Sequence, residues 1–288
     1  MSTLIILGYF VLYNGVMPLL VFVLGLGLGI VINALADGLP PDELGMPRRV
    51  TRPSCQYCGA EHAPYLWPAV VSLFARRGAC EHCGAPRRGR LVVVEVLTGL
   101  CLAGLWLWAG GRWPAFLAGA LLVFVFILIA VIDIEHRLIL WRVILPSAVA
   151  VGITQGFIRG WATTLEGGLA GYGIVFGMFL LGQVFSMTIA QMQGKPPDEI
   201  AFGGGDVNLA ALAGLAVGWP AVLLMVLATV VGGGLFALGY IVVQTVRRRY
   251  NPYTAFPYGP FFILGAAAVY LYGHSFAQWY AGYLASRR

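Results

Sequence analysis

Residues 121–132, LLVFVFILIAVI, present no polar side chain on any face and end abruptly at Asp133. A helix that is apolar all round has to be enclosed by protein or by lipid. Apolar runs that approach or reach the roughly 20 residues needed to cross a bilayer core of about 30 Å recur at 15–36, 91–110, 114–132, 143–159, 168–190, 207–218, 220–246 and 259–284. The run at 207–218 is short and contains glycine. Composition decides between protein and lipid: of 288 residues, 59% are hydrophobic and 10% charged, with a mean hydropathy of +0.83. Those values lie far outside a soluble domain. The sequence therefore predicts an all-α polytopic membrane protein with about eight transmembrane helices.

No Lys or Arg precedes Arg48, so the N-terminal run lacks the basic segment of a cleaved signal peptide and is expected to be retained. With eight helices and residues 37–90 in the cytoplasm, only Arg112, Arg159, Arg287 and Arg288 among the 18 basic residues fall outside. Such asymmetry predicts an outside N-terminus in a cell (inner) membrane. Topology then accounts for the net charge of +6 with no need for nucleic acid. Arg247, Arg248 and Arg249 read as anchors to anionic headgroups. Trp108, Trp113, Trp161, Trp219 and Tyr258 fall near helix ends, as interfacial aromatic residues do.

Residues 37–90 are the one long polar insertion. They hold two units of the same form, Cys55-Gln-Tyr-Cys58-Gly59 and Cys80-Glu-His-Cys83-Gly84. Four thiolates in this arrangement suit tetrahedral Zn²⁺, and each glycine suits the tight turn of a knuckle. Cytoplasmic redox conditions disfavour disulfides, although free or redox-active thiols fit the same pattern. With every position taken by sulfur, the metal is expected to be structural, a small zinc-ribbon-like loop domain folded by its ion. His62 and His82 read as solvated loop residues, and Cys101 as a small buried hydrophobe. Three regions follow: the first transmembrane helix (1–36), the metal-binding loop (37–90) and a transmembrane domain (91–288).

Carboxylates beside hydrocarbon are costly and point to function. Asp133, Glu135, Asp206, Glu95 and Glu166 abut the long runs, and the topology puts Asp133 and Asp206 at the same cytoplasmic depth. Two close carboxylates can share one proton. The ionised member can then deprotonate water while the protonated one donates to a scissile carbonyl, which is aspartyl protease chemistry. Gly203, Gly204 and Gly205, just before Asp206, would let an extended peptide approach the backbone. A connector of three glycines with Asp206 capping the next helix fits equally well. Glu135, His136 and Arg137 read as a solvated turn in which Glu135 could tune Asp133.

The Gly203-Gly204-Gly205-Asp206 signature, Ile132-Asp133 at a helix end and the paired CxxC loop together resemble the bacterial type IV prepilin peptidases. Gly29 and Asn33 ahead of Leu39-Pro40, Glu95 in LVVVEVLTGL and the stretch FPYGPFFILGA (256–266) are similar to further family elements in the same order. The resemblance implies that Asp133 and Asp206 are the catalytic pair, cutting prepilins and pseudopilins ahead of their hydrophobic helix. It also implies N-methylation of the new terminus with S-adenosylmethionine as donor, supported by the loop that Cys55, Cys58, Cys80 and Cys83 hold. That step needs a neutral amine, which an α-amino pKa of about 7.7–8.0 supplies in part near pH 7. Glu43, Glu61 and Glu95 are candidates to offset the sulfonium charge, beside solvated or packing roles. No Rossmann-type glycine fingerprint locates the donor.

This chain departs from the family where Leu-Pro-Asp is usual, reading Leu140-Trp141-Arg142. Asn208 stands in place of a common Lys, and Gly38 in place of an Arg. The loop 192–206 is long enough to open for substrate and then deliver Asp206 to Asp133. Two other classes stay open: a catalytically silent zinc-binding scaffold, for which residues 141, 142 and 208 leave room, and a transporter, suggested by glycine-broken helices.

Overall fold

The computed structural model describes residues 12–40, 55, 57–61, 66–74, 79–193, 203–247 and 258–285. Glu43, His62, loop segment 194–202 and the basic residues Arg48, Arg49, Arg52, Arg76, Arg77, Lys195, Arg248, Arg249, Arg287 and Arg288 lie outside them. After a π-helical turn at Leu12–Val16 come α1 (Met17–Gly38), the short α2 (Ala69–Phe74), α3 (Gly89–Ala109), α4 (Trp113–His136), α5 (Trp141–Arg159), α6 (Trp161–Gln193), α7 (Gly204–Val217), α8 (Ala221–Val246) and α9 (Gly259–Ala285). Among the described residues there is no sheet, only an isolated bridge between Ala79 and Pro86. The long helices coincide with the eight apolar runs. Six of them, α1, α3, α4, α5, α6 and α8, are long and apolar enough to cross a membrane, while α7 and the described part of α9 are shorter apolar helices.

The chain divides into two compact units, Met1–Ile132 and Asp133–Arg288. In the first, α1 and α3 pack backbone to backbone. A Cβ on Gly25 would stand 2.6 Å from Gly99 Cα, and one on Gly29 would stand 2.6 Å from Glu95 Cα. Only glycine permits such an approach, and close packing is what holds helices together where lipid removes the hydrophobic drive. Asn33 Nδ2 adds a hydrogen bond to Leu91 O at 3.0 Å. At the other end of α3, Trp106 is ringed by Tyr13, Trp113 and Phe116 at 5.4, 4.8 and 5.2 Å between centroids.

In the second unit α7 is the hub, packed on α5, α6, α8 and α9. Leu209, Ala210, Leu212, Ala213 and Ala216 are all fully buried, so this 14-residue helix is enclosed by protein. A length of about 21 Å at 1.5 Å per residue is tolerable in that setting, because neighbouring helices, not lipid, surround it. Gly167 and Gly171 of α6 lie against backbone of Gly214 and Ala210, with no room for a Cβ at either position. The end of α7 is tied down by Arg159 Nη1 donating to Val217 O at 2.6 Å and by Trp219 N–H donating to Thr163 O at 2.9 Å. The helix α6 begins at Trp161, ahead of the apolar run at 168, because the polar residues Thr163, Thr164 and Glu166 conceal its first two turns.

Between α4 and α5 the chain turns at Arg137, whose φ is +52°. The Arg137 N–H bonds back to Asp133 O at 2.8 Å. A left-handed residue thus makes the turn for which the Leu140-Trp141-Arg142 stretch carries no proline signal.

Candidate active site and metal centre

Asp133 occupies the last turn of α4 and is 5% exposed. Asp206 occupies the first turn of α7 and is half-buried. Both belong to the second unit, and they lie near enough that the charge of Asp133 acts on Asp206. Each carboxylate faces the start of a helix. Gly203 N–H donates to Asp206 Oδ2 at 3.2 Å, and the Gly259 N–H, at the start of α9, is directed at the Asp133 carboxylate. Helix N-termini carry partial positive charge and favour carboxylates held against them. Oδ2 of Asp133 is buried and has no hydrogen-bond partner among the described residues.

The capping residue of α7 is Gly203, and Asp206 stands three positions later, reaching back to the Gly203 N–H. Asp206 thus closes half of a capping box while its carboxyl stays within reach of the charge of Asp133. The three glycines differ in surroundings. A Cβ on Gly205 would fall 2.8 Å from Ile139 Cβ, whereas among the described residues one on Gly204 would meet nothing within 4 Å and one on Gly203 only loose neighbours. Asn208 spends its amide on Gly204 O at 3.2 Å. Glu135 is exposed and beside His136, as a solvated turn requires. The role of Gly259 was not legible in the sequence beyond its place in FPYGPFFILGA; a Cβ there would overlap Asp133 Oδ2.

In the first unit, Cys55, Cys58, Cys80 and Cys83 gather so that their sulfurs all lie within 4.8 Å of one another. Sγ of Cys55 is 3.6 Å from that of Cys83, and Sγ of Cys58 is 3.7 Å from that of Cys80. A tetrahedron of sulfurs about 2.3 Å from Zn²⁺ has edges of about 3.8 Å, so the four residues fit that ion. The two knuckles are alike. Gly59 N–H bonds Cys55 O and Cys55 N–H bonds Ala60 O at 2.8 and 2.9 Å, matched by Gly84 to Cys80 and Cys80 to Ala85 at 2.9 and 2.9 Å. Gly59 and Gly84 share a φ of +71°, which glycine adopts without strain. The N–H groups of Cys58 and then Tyr57 hold the Cys55 thiol down to about 6. Those of Cys83 and His82 lower Cys80 in the same way. At Cys55 and Cys80 the backbone thus favours the thiolate, the ligand form, whereas at Cys58 and Cys83 the Ala60 and Ala85 N–H groups are outweighed by desolvation and the neighbouring thiols, which push the thiol up.

Glu95 is 1% exposed. Its two oxygens accept from Ala69 N–H at 2.8 Å and Val70 N–H at 3.0 Å, capping α2 from α3. Of the acids considered from the sequence, Glu61 is exposed and Glu95 is a cap.

Residues 120–238 match the Type IV leader peptidase family, and residues 23–109 match the Bacterial Peptidase A24 N-terminal domain. The chain is 30% identical over 250 residues to a prepilin leader peptidase/N-methyltransferase of Pseudomonas aeruginosa, spanning 85% of this chain and 80% of that one. A protein of the same description from Burkholderia pseudomallei is 29% identical over 252 residues, spanning 84% and 75%. Another from Aeromonas hydrophila is 24% identical over 285 residues, spanning 91% and 92%. No solved structure matches the chain. With two family segments in sequence order and relatives aligned along most of its length, the chain belongs to the type IV leader peptidase family.

Proposed function

We propose that the protein is an inner-membrane aspartyl endopeptidase that removes the leader from type IV prepilins and pseudopilins at the cytoplasmic face, and then N-methylates the new terminus. What supports the peptidase reading is that Asp206 lies within reach of the charge of Asp133, each carboxylate being set against a helix N-terminus. One aspartate, ionised, takes a proton from water as its oxygen attacks the scissile carbonyl carbon. The other, protonated, gives its proton to the carbonyl oxygen. Collapse of the tetrahedral intermediate breaks the C–N bond, and the departing nitrogen takes up a proton from the pair. The open space beside Gly203 and Gly204 leaves room for the extended peptide, whose hydrophobic helix stays in the bilayer.

In this reading residues 1–36 form the first transmembrane helix region, 37–90 the metal-binding and methyl-transfer module and 91–288 the protease domain, with the N-terminus outside. Zn²⁺ held by Cys55, Cys58, Cys80 and Cys83 would be structural, since four sulfurs leave no open ligand position. S-adenosylmethionine supplies an activated methyl group when bound, and the chain's part is to hold it beside a neutral amine.

The test is cleavage of a prepilin by purified protein in detergent. The parent should release the leader, and Asp133→Asn and Asp206→Asn should each abolish release. No cleavage by the parent, or full cleavage by both variants, would overturn the reading.

A further inference from the structure

Thr229 of α8 is a polar side chain in an apolar helix and is 2% exposed. Its hydroxyl donates to Met225 O, four residues back, at 2.8 Å, and lies 3.4 Å from Phe261 O in the first turn of α9. Thr98, Thr154 and Thr188 each bond the carbonyl four residues back and, among the described residues, nothing further. Back-bonding of that kind satisfies a buried threonine within its own helix. The second acceptor, on another helix, is what sets Thr229 apart.

The surfaces on either side explain how it comes within reach. A Cβ on Gly265 of α9 would stand 2.8 Å from Thr229 Oγ1 and 3.1 Å from Met225 O, so the absence of a side chain there brings the two helices together at Thr229. One turn further along α8, a Cβ on Gly233 would stand 3.3 Å from the Tyr258 ring and 3.8 Å from that of Phe261. A second turn on, the Phe236 ring is centred 5.3 Å from the Phe261 ring. Apolar contacts of this sort hold helices together without fixing a direction, whereas a hydroxyl proton shared with Phe261 O is directional.

The height of α9 along α8 matters because Gly259 lies in the same turn as Phe261. The Gly259 N–H is directed at the Asp133 carboxylate, and a Cβ at that position would overlap Asp133 Oδ2. A slide of this turn in one direction brings backbone into the carboxylate, and a slide in the other withdraws the N–H. Interhelical bonds from hydroxyls add little to the stability of a membrane bundle, so the value of this one lies in register. We propose that Thr229 is a positioning residue for leader cleavage: its hydroxyl, reaching across to Phe261 O, fixes the first turn of α9 on α8 and with it the fit of Gly259 on Asp133. The inference rests on the peptidase reading above, because it needs Asp133 to be one of the reacting pair.

Full-length protein in detergent is assayed for prepilin cleavage over a range of substrate concentrations, with thermal melting as the measure of folding. Cleavage by the parent and none by Asp133→Asn establishes the peptidase reading separately. Thr229→Val keeps the branched shape and removes the hydroxyl. Its kcat should fall about tenfold, part of the roughly 10²-fold that a misplacement of about 1 Å costs, with KM within about twofold of the parent. Thr229→Ser, which keeps the hydroxyl, should cleave at close to the parent rate, and Thr229→Ala should lose kcat as Thr229→Val does. In a Gly259→Ala background Thr229→Val should lower kcat by a further factor of about two at most, because residues acting through one contact are not additive. Parental kcat in the Val and Ala proteins, equal losses in the Ser and Val proteins, or losses that multiply in the double variant would each overturn the proposal. If the Val protein melts well below the parent, the Ser and Ala pair makes the same comparison. If the parent cleaves nothing, the peptidase reading fails and this inference with it.

Discussion

Gly259 and Asp133 are in such close register that a Cβ on the glycine would overlap Oδ2 of the aspartate, while the glycine N–H points at the same carboxylate. The start of α9 is therefore moulded to one member of the aspartate pair. Gly259→Ala should displace Asp133 and cut the cleavage rate on the order of 10²-fold, as misplacements of about 1 Å do. Its kcat should fall far more than its KM rises. A Gly259→Ala protein with parental kcat would show that the contact does not position Asp133.

The glycines before Asp206 should separate by function. Gly205→Ala drives a methyl into Ile139, so it should lower thermal stability by about 1–3 kcal/mol, the usual cost of overpacking. Gly204→Val has space for its side chain and should leave stability within roughly 0.5–1 kcal/mol of the parent, the helix-propensity scale, while raising KM for prepilin. Melting curves alongside steady-state kinetics would read both effects.

Metal occupancy should follow the thiolates. The Cys55 and Cys80 thiols lie below their ordinary value and those of Cys58 and Cys83 above it, and protons compete with the metal for all four, so occupancy falls as pH falls. Purified protein should carry about one Zn²⁺ per chain by elemental analysis, since a four-sulfur site is complete for one ion, and should release it progressively as the pH is lowered. Chelation at neutral pH should abolish methyl transfer and spare leader cleavage.

The cap that Glu95 places on α2 should be visible by hydrogen exchange. Glu95→Ala takes the acceptor from the buried Ala69 N–H, at a cost of about 1–3 kcal/mol, and from the part-buried Val70 N–H. Exchange across 69–74 should accelerate selectively. Unchanged protection there would mean that α2 is held by packing alone.

Much of the fold was legible because lipid imposes simple demands. Each apolar run became a helix, since a spanning segment must satisfy its backbone internally, and α6 alone began well outside its run, at Trp161, because Thr163, Thr164 and Glu166 hid the first turns. The knuckles were equally legible: paired CxxC-Gly units encode their turns locally, and Gly59 and Gly84 adopt the positive φ that the pattern implies. Asp133 and Asp206 stand out in the sequence by residue type and by their places at helix ends. That the charge of Asp133 reaches Asp206 depends on tertiary packing, which no local pattern encodes.

What the sequence determined by itself is therefore what short-range chemistry and the bilayer dictate: helices, knuckles, and carboxylates at helix ends. The tertiary structure decided which groups became partners across the fold. It set Gly259 on Asp133, turned Glu95 into the cap of α2 and divided Gly205 from its two neighbours. Those outcomes depend on helix surfaces fitting together at glycine contacts such as Gly29 on Glu95 and Gly167 on Gly214, where the absence of a side chain matters only once the opposing backbone is in place.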